Sequence, residues 1–319
     1  MSAPLGVGLL GLGTVGSAVA RAMATRAKRL EAMAGRPLRL VGAAVRDPKK
    51  SRDAADVAVS TDPFELLDDP NVQVVIEVIG GTTPARDLQL AAFERGKHVV
   101  TANKELVAKH WNELHEAARL AKRELRYEAS VAAAVPVIAA TRQLGASRPR
   151  VLRGLLNGTT TYICSQLDAG RSFDDALAEA QRLGYAEADP SADIDGFDAA
   201  YKLAILISLL EGRHFHPDNV RRTTLRGVGA TDIAAARARG ATIRYLATAD
   251  FGDKATKARV GPEEVVADSL EGAASGPTNV VRLETDLAGT LVFSGPGAGG
   301  DATASAILGD VIAIARGLR

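Results

Sequence analysis

A chain of 319 residues, 46% hydrophobic and 24% charged, is long enough for two domains and has an ordinary globular composition. Its net charge of +1 argues against a nucleic-acid partner or an anionic membrane surface. One cysteine, Cys164, excludes an internal disulfide; no apolar run reaches the roughly 18 residues of a membrane span, and no basic stretch precedes the first apolar run, so a cytoplasmic protein without a signal peptide is expected.

Along the first part of the chain, short apolar runs at 5–10, 38–45, 72–78 and 98–101 alternate with helically spaced segments at 15–33, 84–94 and 104–120. Such runs suit strands buried on both faces, and their alternation with helices predicts parallel βαβ units in a doubly wound α/β sheet. The pattern changes near residue 131. A strand at 151–156 leads through Asn157-Gly158 into a helix, and a second helix follows at 173–183. A loop with four acids precedes an apolar helix at 197–210. Further strands are expected at 258–262, 278–284 and 291–293, with a helix from Asp232. The glycine-rich stretch 295–300 opens a last helix at 302–316.

Gly11-Leu12-Gly13-Thr14-Val15-Gly16 follows the first strand and opens a helix, the setting of a dinucleotide fingerprint rather than a turn without a ligand. Gly11 permits the tight turn, Gly13 clears the pyrophosphate, and Gly16 lets helix and strand approach. The helix N-terminus, with Thr14 and Val15, offers N–H groups to the phosphates. After the second strand, Arg46 with Lys49 or Lys50 suits a 2′-phosphate, whereas Asp47 suits the ribose hydroxyls of NAD; a solvated charged turn is the bland alternative. NADP(H) is favoured, with NAD(H) open. Gly80 and Thr82 lie at the carboxyl edge of the next strand, where open α/β sheets bind ligands, and Lys104 does so one strand later. A lysine at a helix N-terminus opposes the local dipole, which favours a functional role.

The segment from Gly184 to Lys202 holds Glu187, Asp193, Asp195, Asp198 and Lys202, with Asp198 and Lys202 four apart on one helix face. A calcium loop fails because Lys202 stands where a bidentate glutamate is needed. A solvated acidic loop followed by a helical ion pair remains one reading. The other is a carboxylate pocket for a cationic substrate group, with Lys202 carrying a proton. His214 and His216 lack a second ligand pair for zinc, and Cys164 reads as packing.

Taken together, Gly11 to Gly16, Thr101-Ala102-Asn103-Lys104, Tyr127-Glu128-Ala129-Ser130-Val131, Leu156-Asn157-Gly158-Thr159-Thr160, Gly184 to Lys202, and Gly297-Ala298-Gly299 leading to Thr303-Ala304-Ser305-Ala306 resemble the homoserine dehydrogenases. The resemblance spans nearly the whole chain. It implies NAD(P)-dependent interconversion of L-homoserine and L-aspartate 4-semialdehyde, in the synthesis of threonine, methionine and isoleucine. It implies a Rossmann-type domain at 1–133, joined by a C-terminal helix at 300–319, and an α+β substrate and dimerisation domain at 134–299 of a homodimer. Carried over by position, Lys202 is the general acid/base and Lys104 its partner near substrate and nicotinamide. Glu187 holds the amino acid, and Asp193 and Asp198 support substrate and lysine. Glu128 with the carbonyls of Val131, Ala133 and Val135 matches a monovalent-cation site, usually sodium, and Gly299 matches a cofactor contact.

Two departures stand out. Ala132-Ala133-Ala134 replaces a stretch that is usually glycine-rich, so a positive φ there would be costly. Thr161 stands where asparagine is common. The chain ends about 20 residues after Gly299, so the C-terminal regulatory domain of the ACT type found in many relatives is not expected. Two rival readings are a reductase of another amino-acid-derived aldehyde and a non-catalytic sensor of the NAD(P)H ratio.

Overall fold

A computed structural model describes residues 3–50, 52, 54 and 57–318; Met1, Ser2 and Arg319, at the outer bounds of the expected first domain, lie outside the described residues. The chain divides into two compact units, Met1–Ala134 with Gly299–Arg319, and Val135–Ala298.

In the first unit the chain runs β1 (Leu5–Leu10), α1 (Thr14–Thr25), α2 (Ala27–Ala34), β2 (Leu38–Ala44), β3 (Val59–Ser60), α3 (Pro63–Asp68), β4 (Val74–Glu77), α4 (Thr83–Glu94), β5 (His98–Thr101), α5 (Lys104–Lys109), α6 (Trp111–Ala121) and β6 (Leu125–Arg126). Every residue of β1, β4 and β5 is buried, as expected for strands covered on both faces. The six strands pair in parallel in the order β3-β2-β1-β4-β5-β6, the arrangement of dinucleotide-binding folds. That order reverses direction between β1 and β4, so the carboxyl ends of these two strands open the crevice in which such sheets bind ligands. The helix at Gly300–Gly317 completes this unit. Its Ile307, Val311 and Ile314 are fully buried in one core with Leu5, Val7, Leu9 and Val19.

The second unit holds α7 (Val137–Arg142), β7 (Pro149–Leu155), α8 (Gly158–Asp168), α9 (Phe173–Arg182), α10 (Ser191–Ile194), α11 (Phe197–Glu211), β8 (Val220–Arg222), α12 (Ala230–Arg237), β9 (Ala241–Phe251), β10 (Thr256–Val266), α13 (Leu270–Ala273), β11 (Thr278–Thr285) and β12 (Thr290–Pro296); the final helix of the chain is α14. Its sheet runs β12-β11-β7-β9-β10-β8 and is antiparallel except where β8 meets β10. Helix α11 is the most deeply buried, with Leu203 to Ile207 all at 0% exposure. No described helix is long and apolar enough to cross a membrane.

The structure corrects two expected helices, adds an unexpected strand and shows where the cost of positive φ is incurred. The helices expected at 15–33 and 104–120 are each two, broken at Arg26 and His110, whose backbones leave the helical region although neither is Gly or Pro. Strand β9, which lies between β7 and β10, was not anticipated. Finally, the alanines after Val131 do adopt positive φ, 54° at Ala132 and 38° at Ala133, and both are buried. A left-handed alanine costs about 1–2 kcal/mol, while glycine loses about 0.5–1 kcal/mol more backbone freedom on folding. Ala132→Gly and Ala133→Gly should therefore each stabilise the chain by about 0.5–1 kcal/mol, measurable as a raised midpoint in urea unfolding. A lowered midpoint would contradict that account of strain.

Candidate active site

The nucleotide end is built on the turn after β1. Gly11 has φ of 103°, and a Cβ there would sit 2.9 Å from the Val78 carbonyl oxygen. A Cβ on Gly16 would sit 2.2 Å from the Gly11 carbonyl oxygen, so helix and turn touch backbone to backbone. Gly13 is different, because a Cβ there would meet nothing within 4 Å. Its missing side chain leaves open space above the start of α1, where no side chain caps the first-turn N–H groups of Thr14, Val15 and Gly16. That is a cradle for an anion of the size of a pyrophosphate.

Beside it lies a cavity of about 520 Å³ bordered by Gly13, Thr14, Ser17, Arg21, Lys50 and Arg52. Arg46 is exposed and is not among the residues lining it. Arg52 instead holds the turn after β2, donating to the carbonyls of Lys50 at 2.6 Å and Asp47 at 2.5 Å. The Asp47 carboxylate accepts from Lys49 N at 2.9 Å. Arg21 also pairs with Asp301 on α14 at 2.7 Å. The sequence reading missed Arg21 and Arg52. The spacing of Thr14, Ser17 and Arg21 along one face of α1 was the available signal.

The loop carrying Gly80 and Thr82 is held from both sides. Glu77, fully buried at the end of β4, accepts from Thr101 Oγ1 at 2.7 Å, Gln89 Nε2 at 2.8 Å and Ile79 N at 2.9 Å. Asn103 Nδ2 donates to the Gly81 carbonyl at 2.7 Å, and Asn103 Oδ1 caps α5 through Leu106 N at 3.1 Å. Lys104 is thereby fixed as the first, half-buried residue of α5. Glu128 is buried within a short 3₁₀ turn, its N–H bonded to Asp310 of α14 at 2.8 Å. Gly299, with φ of 114°, precedes α14.

In the second unit, β7, α8, α10 and α11 assemble a polar cluster within an apolar surround. Lys202 is 8% exposed; its Nζ donates to the Leu156 carbonyl at 2.7 Å and lies 2.7 Å from Asp198 Oδ2. Asn157 Nδ2 donates to Asp193 Oδ1 at 2.7 Å and to Asp198 Oδ2 at 2.9 Å. Thr159 Oγ1 lies 2.9 Å from Asp193 Oδ2 and 2.7 Å from the Tyr185 carbonyl, two acceptors that share its single proton. Burial pushes the Asp193 carboxyl above its usual range, and repulsion from Asp198 adds to this, against the hydrogen bonds from Asn157 and Thr159. Asp193, Asp198 and Lys202, named from the sequence, thus meet. Glu187 sits on an exposed loop outside this hydrogen-bonded cluster, its carbonyl accepting from Gln181 Nε2 at 3.0 Å. Asn157 and Thr159 were quoted only as part of a motif, and their part in the cluster was missed. Cys164 is buried with its thiol pushed up to about 12 by desolvation, which removes it as a nucleophile at neutral pH.

Two carboxylates against one ammonium leave an excess of negative charge, suited to a cationic group such as an amino acid's ammonium. The first unit offers an anion cradle and the second a buried lysine paired with a carboxylate.

Residues 11–128 match a family model described as the NAD-binding domain of homoserine dehydrogenase, and residues 136–312 match one described as homoserine dehydrogenase. The chain is 42% identical to the homoserine dehydrogenase of Corynebacterium glutamicum over 98% of its own length and 72% of the relative's. It is similar to the crystal structure of a homoserine dehydrogenase from Thiobacillus denitrificans, with a TM-score of 0.96 and 40% identity over 98% of this chain and 74% of that one. A hyperthermophilic archaeal homoserine dehydrogenase in complex with NADPH matches with a TM-score of 0.82 and 27% identity, over 97% of each chain.

Because folding raises the Asp193 pKa, the folded chain holds that proton more tightly than the unfolded one. Its contribution to stability therefore falls as pH rises through the window above the ordinary value of 3.8. Asp193→Asn should consequently raise the midpoint of thermal unfolding at pH 7. The gain should shrink toward pH 4. A variant less stable than the parent at pH 7 would refute it.

Proposed function

The chain belongs to the homoserine dehydrogenase family, and from that premise we propose the residues by which it interconverts L-homoserine and L-aspartate 4-semialdehyde. The reaction is an NAD(P)-dependent oxidoreduction at a CH–OH group. When bound, the nicotinamide carries the hydride exchanged with C4 of the substrate. The remaining work belongs to the protein, which must orient the substrate and move one proton at its C4 oxygen.

The observation that carries the assignment is the burial of Lys202 against Asp198 and the Leu156 carbonyl. Lys202 takes the hydroxyl proton in oxidation and returns it in reduction, where its positive charge also stabilises the alkoxide-like oxygen. Lys104 assists at the substrate and nicotinamide. Asp193, Asp198 and Glu187 receive the substrate ammonium, for which their negative charge is the complement.

The pyrophosphate is assigned to the N–H groups of Thr14, Val15 and Gly16 beneath Gly13, with Gly11, Gly80, Thr82 and Gly299 shaping the backbone around the cofactor. Arg46 remains the proposed partner of a 2′-phosphate, and the cavity bordered by Arg21, Lys50 and Arg52 adds basic groups that favour NADP(H) over NAD(H). A sodium ion would draw on hard oxygen donors, for which the buried Glu128 carboxylate and the carbonyls of Val131, Ala133 and Val135 are the proposed set. A homodimer formed through the second unit, at work in the cytoplasm in threonine, methionine and isoleucine synthesis, completes the reading.

Lys202→Ala should lower homoserine oxidation at least ~100-fold, followed by absorbance of the reduced nicotinamide, while nucleotide affinity stays unchanged. Near-normal turnover in this variant would overturn the assignment.

A further inference from the structure

Asn157 is 5% exposed and its amide is used at both ends. Oδ1 accepts from Thr160 N at 2.9 Å and Thr160 Oγ1 at 3.1 Å, which caps α8. Nδ2 donates to Asp193 Oδ1 at 2.7 Å and to Asp198 Oδ2 at 2.9 Å, the same oxygen that faces Lys202 Nζ at 2.7 Å. The orientation of the amide is chemically fixed. Turned over, it would set oxygen against two carboxylates and NH₂ against a backbone N–H.

We infer that Asn157 is a positioning residue whose amide bridges Asp193 and Asp198 and so keeps Asp198 on Lys202. This rests on the assignment of Lys202 as the proton carrier. Of the usual helix N-cap residues, Ser and Thr supply the capping oxygen but not two further N–H donors, and Asp would bring a third carboxylate into the cluster. Asparagine alone satisfies the helix on one side and both acids on the other. The bridge matters because adjacent buried carboxylates otherwise share a proton. A protonated Asp193 would donate to Asp198 and compete with Lys202 for it.

Asn157 Nδ2 touches both carboxylates, and the groups around them contribute as follows. From α8, Thr159 Oγ1 lies 2.9 Å from Asp193 Oδ2 and shares its proton with the Tyr185 carbonyl at 2.7 Å. From α11, the charged groups facing the pair are Asp198 itself and Lys202. On α10 and its C-terminal side, Asp195 is engaged elsewhere, accepting from Thr224 Oγ1 at 2.6 Å and Arg226 Nε at 3.3 Å. Asp189, before α10, accepts from Ser191 N at 3.0 Å.

The test compares the full chain with Asn157→Ser and Asn157→Asp, both of which retain a capping oxygen and so spare α8. In Asn157→Ser, carboxyl-carbon NMR should show the upper apparent pKa of the Asp193–Asp198 pair raised by about one unit or more. The acidic limb of kcat/KM for homoserine should move up with it, while KM for the nucleotide stays constant. Asn157→Asp should move the limb further. An unchanged carboxyl titration in Asn157→Ser would overturn the inference, whatever happens to kcat, because loss of a merely structural residue would lower activity without moving that titration. If the parent chain failed to oxidise homoserine, the functional reading would fall, and the NMR titration would still decide the role of the bridge.

Discussion

An ammonium buried in an apolar core costs several kcal/mol unless its charge is met at close range. Lys202 imposes that constraint on the second unit. Helix α11 is buried along most of its length, so the lysine can sit there only with an acid one turn earlier and a carbonyl across from it. Asp198 supplies the first, and Leu156, just past the end of β7, supplies the second. Each solution creates a further demand. Asp198 needs another donor and finds Asn157; Asp193, drawn into the same space, needs Asn157 and Thr159. The order strand, Asn-Gly, helix is thus the shortest way to deliver a carbonyl, a bridging amide and a helix cap to one place.

The first unit meets the opposite charge. A dinucleotide is an anion, and the proposed receptor for it is mostly backbone: the uncapped start of α1 and the space left by Gly13. Side chains set the edges of that space. Glu77 and Asn103 pin the loop at the sheet edge, and Arg21, Lys50 and Arg52 give the neighbouring cavity its basic border. Neither region is optimised for stability. Two left-handed alanines and a carboxyl with a raised pKa are costs retained beside functional groups.

The sequence made much of this legible because the physics there is local. Strands buried on both faces read as unbroken apolar runs, and the glycine turn has a fixed strand-to-helix context. Asp198 and Lys202 are one helical turn apart, which spacing alone reveals. The rest depends on contacts between distant segments. Strand β9 escaped notice because Thr242, Arg244 and Thr248 interrupt its apolar run. They are buried only because partners elsewhere satisfy them, Asp168 among them for Arg244 and Thr242. The breaks at Arg26 and His110 carry no Gly or Pro. Asn157 read only as part of the junction between a strand and a helix, and its contacts with both acids exist only once α10 and α11 have folded beside it.

The position of the substrate oxygen decides the role of Lys202. A crystal structure of the chain with L-homoserine and an oxidised nicotinamide dinucleotide should place the C4 hydroxyl within about 2.6–3.2 Å of Lys202 Nζ, with the substrate ammonium toward the carboxylates. A hydroxyl directed away from Lys202, with the ammonium or carboxylate of the substrate in its place, would contradict it.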